Sequence, residues 1–348
     1  MIAAGFVSSE WTAWLMVLVL SMCVLFVCAL VAIPWTVAHM RFWGGRTGAK
    51  GELDAADLLG RYSGVCLAGV FFFGLYSVHL ASSRNPAGWF AVSVFLAPVL
   101  WTVPLFLVAW GGLFQIGERA PGWGRGPSPG QIWGPVGSGI TAIIVVAVVA
   151  GLIAGVGDPS LWPQIRQSPL AAWTSLSFLF LMAFILFASA LTGGVVLMVV
   201  GCRSFFWERG KSVSMGARMI RLGASVSFGG LILLIVLAVV WLITEQLEPI
   251  REVMRSSRPL VLFMVIFLIG GVLGLLELFV SILRWRGNAP RASLAAAALL
   301  VGTVFFAMAV ISLGGSSRVP PPDQNLLLQG PGLPRGPGLP QGPGLPRR

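Results

Sequence analysis

Apolar runs of roughly twenty residues, each divided from the next by a shorter polar segment, dominate this chain. A helix needs about 20 apolar residues to cross a ~30 Å hydrocarbon core. Runs of that kind lie at Trp11–Trp35, Tyr62–Ala81, Trp89–Trp110 and Gly139–Val156, and again at Trp173–Gly201, Leu222–Ile243, Leu260–Leu283 and Ser293–Leu313. None carries a regular polar face, so each is expected to be surrounded by lipid or by neighbouring helices. Alternating polarity does not recur in ten-residue units, which argues against a membrane β-barrel. The expected fold is an all-α integral membrane protein, a bundle of about eight transmembrane helices. The first run is read as a true span, because Met1–Glu10 holds no Lys or Arg and the apolar run is too long for a cleavable signal.

Composition supports this reading. Of 348 residues, 57% are hydrophobic and 10% charged, whereas soluble domains are about 25% charged. Trp11, Trp14, Trp35, Trp89, Trp110, Trp173 and Trp241 fall at run ends, where an amphipathic ring is expected at headgroup depth. The net charge of +11 sits in loops, not interleaved with aromatics as a base-stacking platform would need, so nucleic acid is not an expected partner. The first, third, fifth and seventh loops hold fourteen Lys/Arg, against five in the N-terminus and the even loops. That asymmetry predicts cytoplasmic odd loops and both termini outside, although Arg318, Arg335, Arg347 and Arg348 in the tail oppose it. Arginine outnumbers lysine 21 to 2 amid much Gly, Ala and Pro, a bias often seen with GC-rich genomes that leans towards a bacterial inner membrane.

The runs divide into two sets of four, expected as membrane halves at 1–156 and 173–313, followed by a flexible tail at 314–348. Met40-Arg41-Phe42-Trp43 after the first run is echoed by Phe205-Phe206-Trp207-Glu208-Arg209 after the fifth, and Arg61 by Arg221. Even-numbered halves of this kind, if duplicated, are related as parallel repeats. Glu52–Gly60 is expected as a short interfacial helix with Asp57 paired to Arg61 at i,i+4. A second interfacial segment is expected around Leu247, Ile250 and Met254. The third loop, Gly111–Ser138, rich in Gly and Pro and without a GKS/GKT sequence, reads as an irregular linker. In the tail, Gly-Pro-Gly-Leu-Pro occurs three times between Gly330 and Pro346, a pattern for disordered polyproline II or an arm that docks on a partner.

Tight helix packing is expected at Gly151-xxx-Gly155 and Gly270-xxx-Gly274, with a further path along Gly193, Gly194 and Gly201. Pro98 and Pro104 are expected to bend the third span. Ionisable groups in lipid are costly and often functional, which singles out Glu277, with His39, Arg41 or Arg203 as potential partners. His79 lies near the outer end of the second span and His39 at the inner end of the first, roughly 25 Å apart in level. Two such histidines do not clamp one haem, although His79 with Met182 or Met264 is a geometric alternative. Cys23, Cys28, Cys66 and Cys202 form no CxxC pair. No catalytic, metal or cofactor signature is found.

Two resemblances concern short stretches or topology. Gly270-Gly271-Val272-Leu273-Gly274 followed by Phe279 resembles the Gly-Thr-Val-x-Gly…Phe stretch of the MotA/TolQ/ExbB proton-channel family. It covers about ten residues; that family's Thr is Gly271 here, and its large cytoplasmic insert is missing. The outward N-terminus and basic first loop are similar to subunit I of cytochrome bd oxidases. The ligand histidine implied near the outer start of the first span is replaced by Trp11 and Trp14. Neither resemblance sets the functional expectation. That expectation is a non-catalytic subunit or scaffold of a membrane complex, touching lipid, and protein partners through its tail and glycine faces. A transporter or channel and a membrane redox or quinone-interacting subunit are the alternatives.

Overall fold

The computed structural model describes residues 2–48, 50–84, 99, 101–120, 127–157, 161–207, 213–244 and 258–314. All regular structure among them is helical: α1 Ile2–Thr47, α2 Lys50–Arg84, α3 Thr102–Arg119, α4 Pro129–Gly157, short α5 Trp162–Gln167 and α6 Ala171–Thr174, α7 Leu176–Trp207, α8 Val213–Thr244, α9 Arg258–Leu283 and α10 Trp285–Gly314. Six of these are long and apolar enough to cross a bilayer (α1, α2, α4, α7, α8 and α10), and Ile269–Leu283 of α9 is a shorter apolar helix. α3 takes up the expected third run only from Thr102, most of the earlier part of that run lying outside the described residues. The chain is a multi-pass, all-α membrane bundle. The expected tail and the segment around Leu247, Ile250 and Met254 lie outside the described residues.

Neighbours in sequence pair as antiparallel hairpins. α1 and α2 turn at Gly48, whose φ of +66° is the left-handed conformation glycine adopts cheaply just past a helix end. The register brings Phe26 onto Phe73, rings stacked at 5.5 Å, and Gly44 onto Glu52. α3 and α4 close at Gly117 and Gly134, whose backbones touch, and the Ser138 hydroxyl donates to the Trp110 carbonyl at 3.0 Å. α7 and α8 interlock through Gly194, Gly201, Gly223 and Gly230, each against backbone of the opposing helix. Around these hairpins α1 is the hub, packing on α2, α4, α7 and α10. It contributes Val17, Val24, Cys28, Leu30, Val37 and Met40 to the core.

The helices overrun their apolar runs chiefly at one end, the end that carries the odd loops. α1 continues from Trp35 to Thr47, α2 begins at Lys50, α3 continues from Trp110 to Arg119, α4 begins at Pro129, and α8 begins at Val213. These extensions raise a helical collar about 15 Å tall. Two expectations are corrected here. Glu52–Gly60 is no separate interfacial helix but the first turns of α2, with Ala55, Ala56 and Leu59 buried in the core. The third loop is helical up to Arg119 and again from Pro129, because its two ends pack on each other as the α3–α4 hairpin. Pro104 stands in the first turn of α3, just after the turn at Trp101, where its missing N–H breaks no helical bond; Pro98 lies outside the described residues.

The tryptophans also divide. Trp110 is only 1% exposed and stacks on Phe114 at 5.5 Å, so it is a core ring and not a headgroup anchor. Trp173 lies over Gly151 and donates its indole N–H to the Ala147 carbonyl at 3.1 Å. Trp35 keeps an exposed ring beside Gly139, and Trp101 and Trp133 are exposed. Large apolar side chains such as Phe72, Leu75, Leu105 and Val108 face outward, as lipid-facing helices require.

Candidate functional site

The collar concentrates the polar chemistry of the described residues. Arg41, the first charge after the apolar run of α1, is 3% exposed. A buried guanidinium needs its donors occupied, and three helices supply the acceptors. Nη2 donates to Asp57 Oδ1 of α2 at 3.1 Å and to Glu118 Oε1 of α3 at 2.6 Å, while Nη1 donates to the Gln131 carbonyl of α4 at 3.1 Å. One side chain of α1 therefore holds α2, α3 and α4. Glu118 reaches it across Gly60, where an added Cβ would stand 2.9 Å from its carboxylate. Asp57 is corrected from its expected pairing with Arg61: the α1–α2 register carries it to Arg41 instead.

A second cluster lies beside the first and joins the two halves of the chain. Arg218 of α8 approaches Glu52 of α2 at 3.8 Å and sits over the Trp43 ring of α1, 4.9 Å from its centroid. His39, one turn earlier on α1, tilts against Trp43 at 6.3 Å. An open cleft of about 570 Å³ runs between α1 and α8 here, bordered by His39, Trp43, Arg218, Arg221, Leu222 and Ser225.

The residues expected as polar sites are dispersed. His39 belongs to the collar. His79 lies far along α2, its ring 6.4 Å from Tyr76. With Phe26 opposite Phe73, the two histidines differ in level by roughly 30 Å, so they share no site within one chain. Glu277 is on α9, and its Oε2 is buried without a hydrogen-bond partner among the described residues, as is Ser281 Oγ one turn on. The expected pairing of Glu277 with Arg41 is replaced by the bonds of Arg41 to Asp57 and Glu118.

Of the expected packing glycines, Gly151 supports Trp173 and Gly274 receives the Leu299 side chain of α10. Gly155 is buried in α4. Gly270 faces open space, so the α9 seam narrows to Gly274. Among the described residues no group of three or more His, Cys, Asp or Glu side chains is placed to hold a metal. Sequence reasoning missed the Arg41 node itself. Its one available signal was a lone arginine a turn and a half beyond Trp35 with no acidic residue at helical spacing.

No protein-family model matches the chain, and no curated protein matches its sequence. Its fold is similar to that of a chain in the structure of bd oxidase from Geobacillus thermodenitrificans. The TM-score is 0.62 at 12% sequence identity, covering 87% of this chain and 85% of that one. At this identity the likeness establishes a shared all-α membrane fold.

Proposed function

We propose that the chain is a non-catalytic subunit of a membrane redox complex, serving assembly rather than electron transfer. The observation that carries this reading is the extent of the fold likeness: a bd oxidase chain matches over 87% of this chain and 85% of its own length. Within that fold, the two histidines of the whole sequence lie on α1 and α2 at levels roughly 30 Å apart, which disfavours a bis-histidine haem site in this chain. Outward apolar faces on α2 and α3, including Phe72, Leu75, Leu105 and Val108, suit contact with lipid or a second hydrophobic subunit. The arginine-rich odd loops favour a cytoplasmic collar with both termini outside, in a bacterial inner membrane.

Affinity purification from the native membrane in a gentle detergent tests the reading. The expected preparation contains a second membrane subunit and shows a Soret band, whereas the chain expressed and purified by itself shows none. Repeated recovery of a lone monomer from the native membrane contradicts the proposal, and so does a Soret band carried by the isolated chain.

A further inference from the structure

The cleft between α1 and α8 has a polar mouth, and beyond it α8 presents an exposed apolar stripe. At the mouth stand Arg218, Arg221 and His39, with the Trp43 ring as one wall. Arg218 is partly compensated by Glu52 at 3.8 Å, while Arg221 is exposed and has no ion-pair partner among the described residues. The cluster therefore offers about one uncompensated positive charge. Below it, Arg221, Ser225, Gly229, Ile232 and Val236 follow one another at i+3 or i+4 along one stripe of α8. Gly229 has no atom within 4 Å of where a Cβ would stand, and Ile232 and Val236 are exposed. The stripe runs about 22 Å into the apolar span.

We propose that this cleft binds an anionic phospholipid. Arg218 and Arg221 hold the headgroup phosphate, Trp43 and Ser225 flank it, and an acyl chain lies along the exposed stripe of α8 over Gly229. A monoanionic phosphodiester matches the residual charge of the mouth, and arginine suits phosphate through its forked donors. The apolar stripe distinguishes a lipid from a free phosphate, which has nothing to place there. The inference is independent of the redox-complex reading and stands or falls by a different measurement.

Full-length protein in detergent, titrated with dioleoyl phosphatidylglycerol or dioleoyl phosphatidylcholine and followed by native mass spectrometry, tests it. Wild type is expected to retain phosphatidylglycerol in preference to phosphatidylcholine. Arg221→Gln, which breaks no contact within the described bundle, is expected to weaken that retention about fivefold, the contribution of one arginine at an anionic surface. Gly229→Leu, which raises a bulky side chain on the stripe where the acyl chain lies, is expected to weaken retention with the arginines intact. Equal retention of the two lipids by wild type overturns the proposal, as does wild-type retention by Arg221→Gln. Displacement of the lipid by inorganic phosphate at matching concentration assigns the mouth to a soluble anion and overturns it too.

Discussion

Arg41→Leu is expected to destabilise the folded bundle by about 2 kcal/mol, read as a lowered midpoint of thermal unfolding in detergent. Removing one member of a buried ion pair costs about 3–5 kcal/mol when the remaining charge stays buried. Here the orphans are a carboxylate on Asp57 that is 61% exposed and one on Glu118 that is 25% exposed, so water recovers part of the loss. The same exposures order the rest of the series. Asp57→Asn is expected to cost less than about 1 kcal/mol, in the range of surface pairs. Glu118→Gln is expected to cost more than Asp57→Asn, because it takes the negative charge from the shorter, better shielded bond to a buried guanidinium. Arg41→Lys is expected to recover only part of the stability, since one ammonium cannot reach three acceptors on three helices with a planar fork. Equal stabilities across this series contradict the account of Arg41 as the tie between α1, α2, α3 and α4.

Gly194→Val is expected to be the more damaging substitution, at about 3 kcal/mol or loss of the folded protein altogether. A Cβ there meets the Ser227 hydroxyl, the Gly223 carbonyl at 2.5 Å and the Ser227 amide at 2.6 Å. Two of those three atoms are backbone, so no rotamer change relieves the clash and α7 and α8 must separate. Gly229, on the partner helix α8, is the control. With open space around it, Gly229→Ala is expected to stabilise by about 0.5 kcal/mol through helix propensity. Yield of folded protein and the unfolding midpoint of the two variants, measured side by side, check both signs. A Gly194→Val protein as stable as wild type would mean that α7 and α8 do not pack in this register.

The order of the long helices was legible because the cost of an unpaired peptide group in lipid leaves helices as the only structure for an apolar run. Their ends were not. An apolar run stops at its first charges, but α1, α2, α3 and α4 continue past theirs because Arg41, Asp57, Glu118 and the Gln131 carbonyl satisfy one another between helices. Reading along one helix offers only partners three or four residues away, hence the expected Asp57–Arg61 pair. The observed Asp57–Arg41 pair depends on the hairpin register turned at Gly48. Trp110 misled for a related reason: its place at the end of an apolar run coincides with headgroup depth, whereas α3 in fact continues for nine residues and buries the ring against Phe114. The separation of His39 from His79 was legible, since it follows from helical rise and the α1–α2 turn alone. The cleft at Arg218 was not, because it joins α1 to α8 across more than 170 residues of sequence.

All of this places the collar, with its Arg41 node and its Arg218 cleft, on one side of one membrane. Topology reporters fused in frame at Gly126 and Arg209, both in odd loops, and at Gln246 in an even loop, test that placement most directly. The account predicts that the first two report the same compartment, the cytoplasm, and the third the opposite one. Gly126 and Arg209 reporting opposite compartments would contradict it.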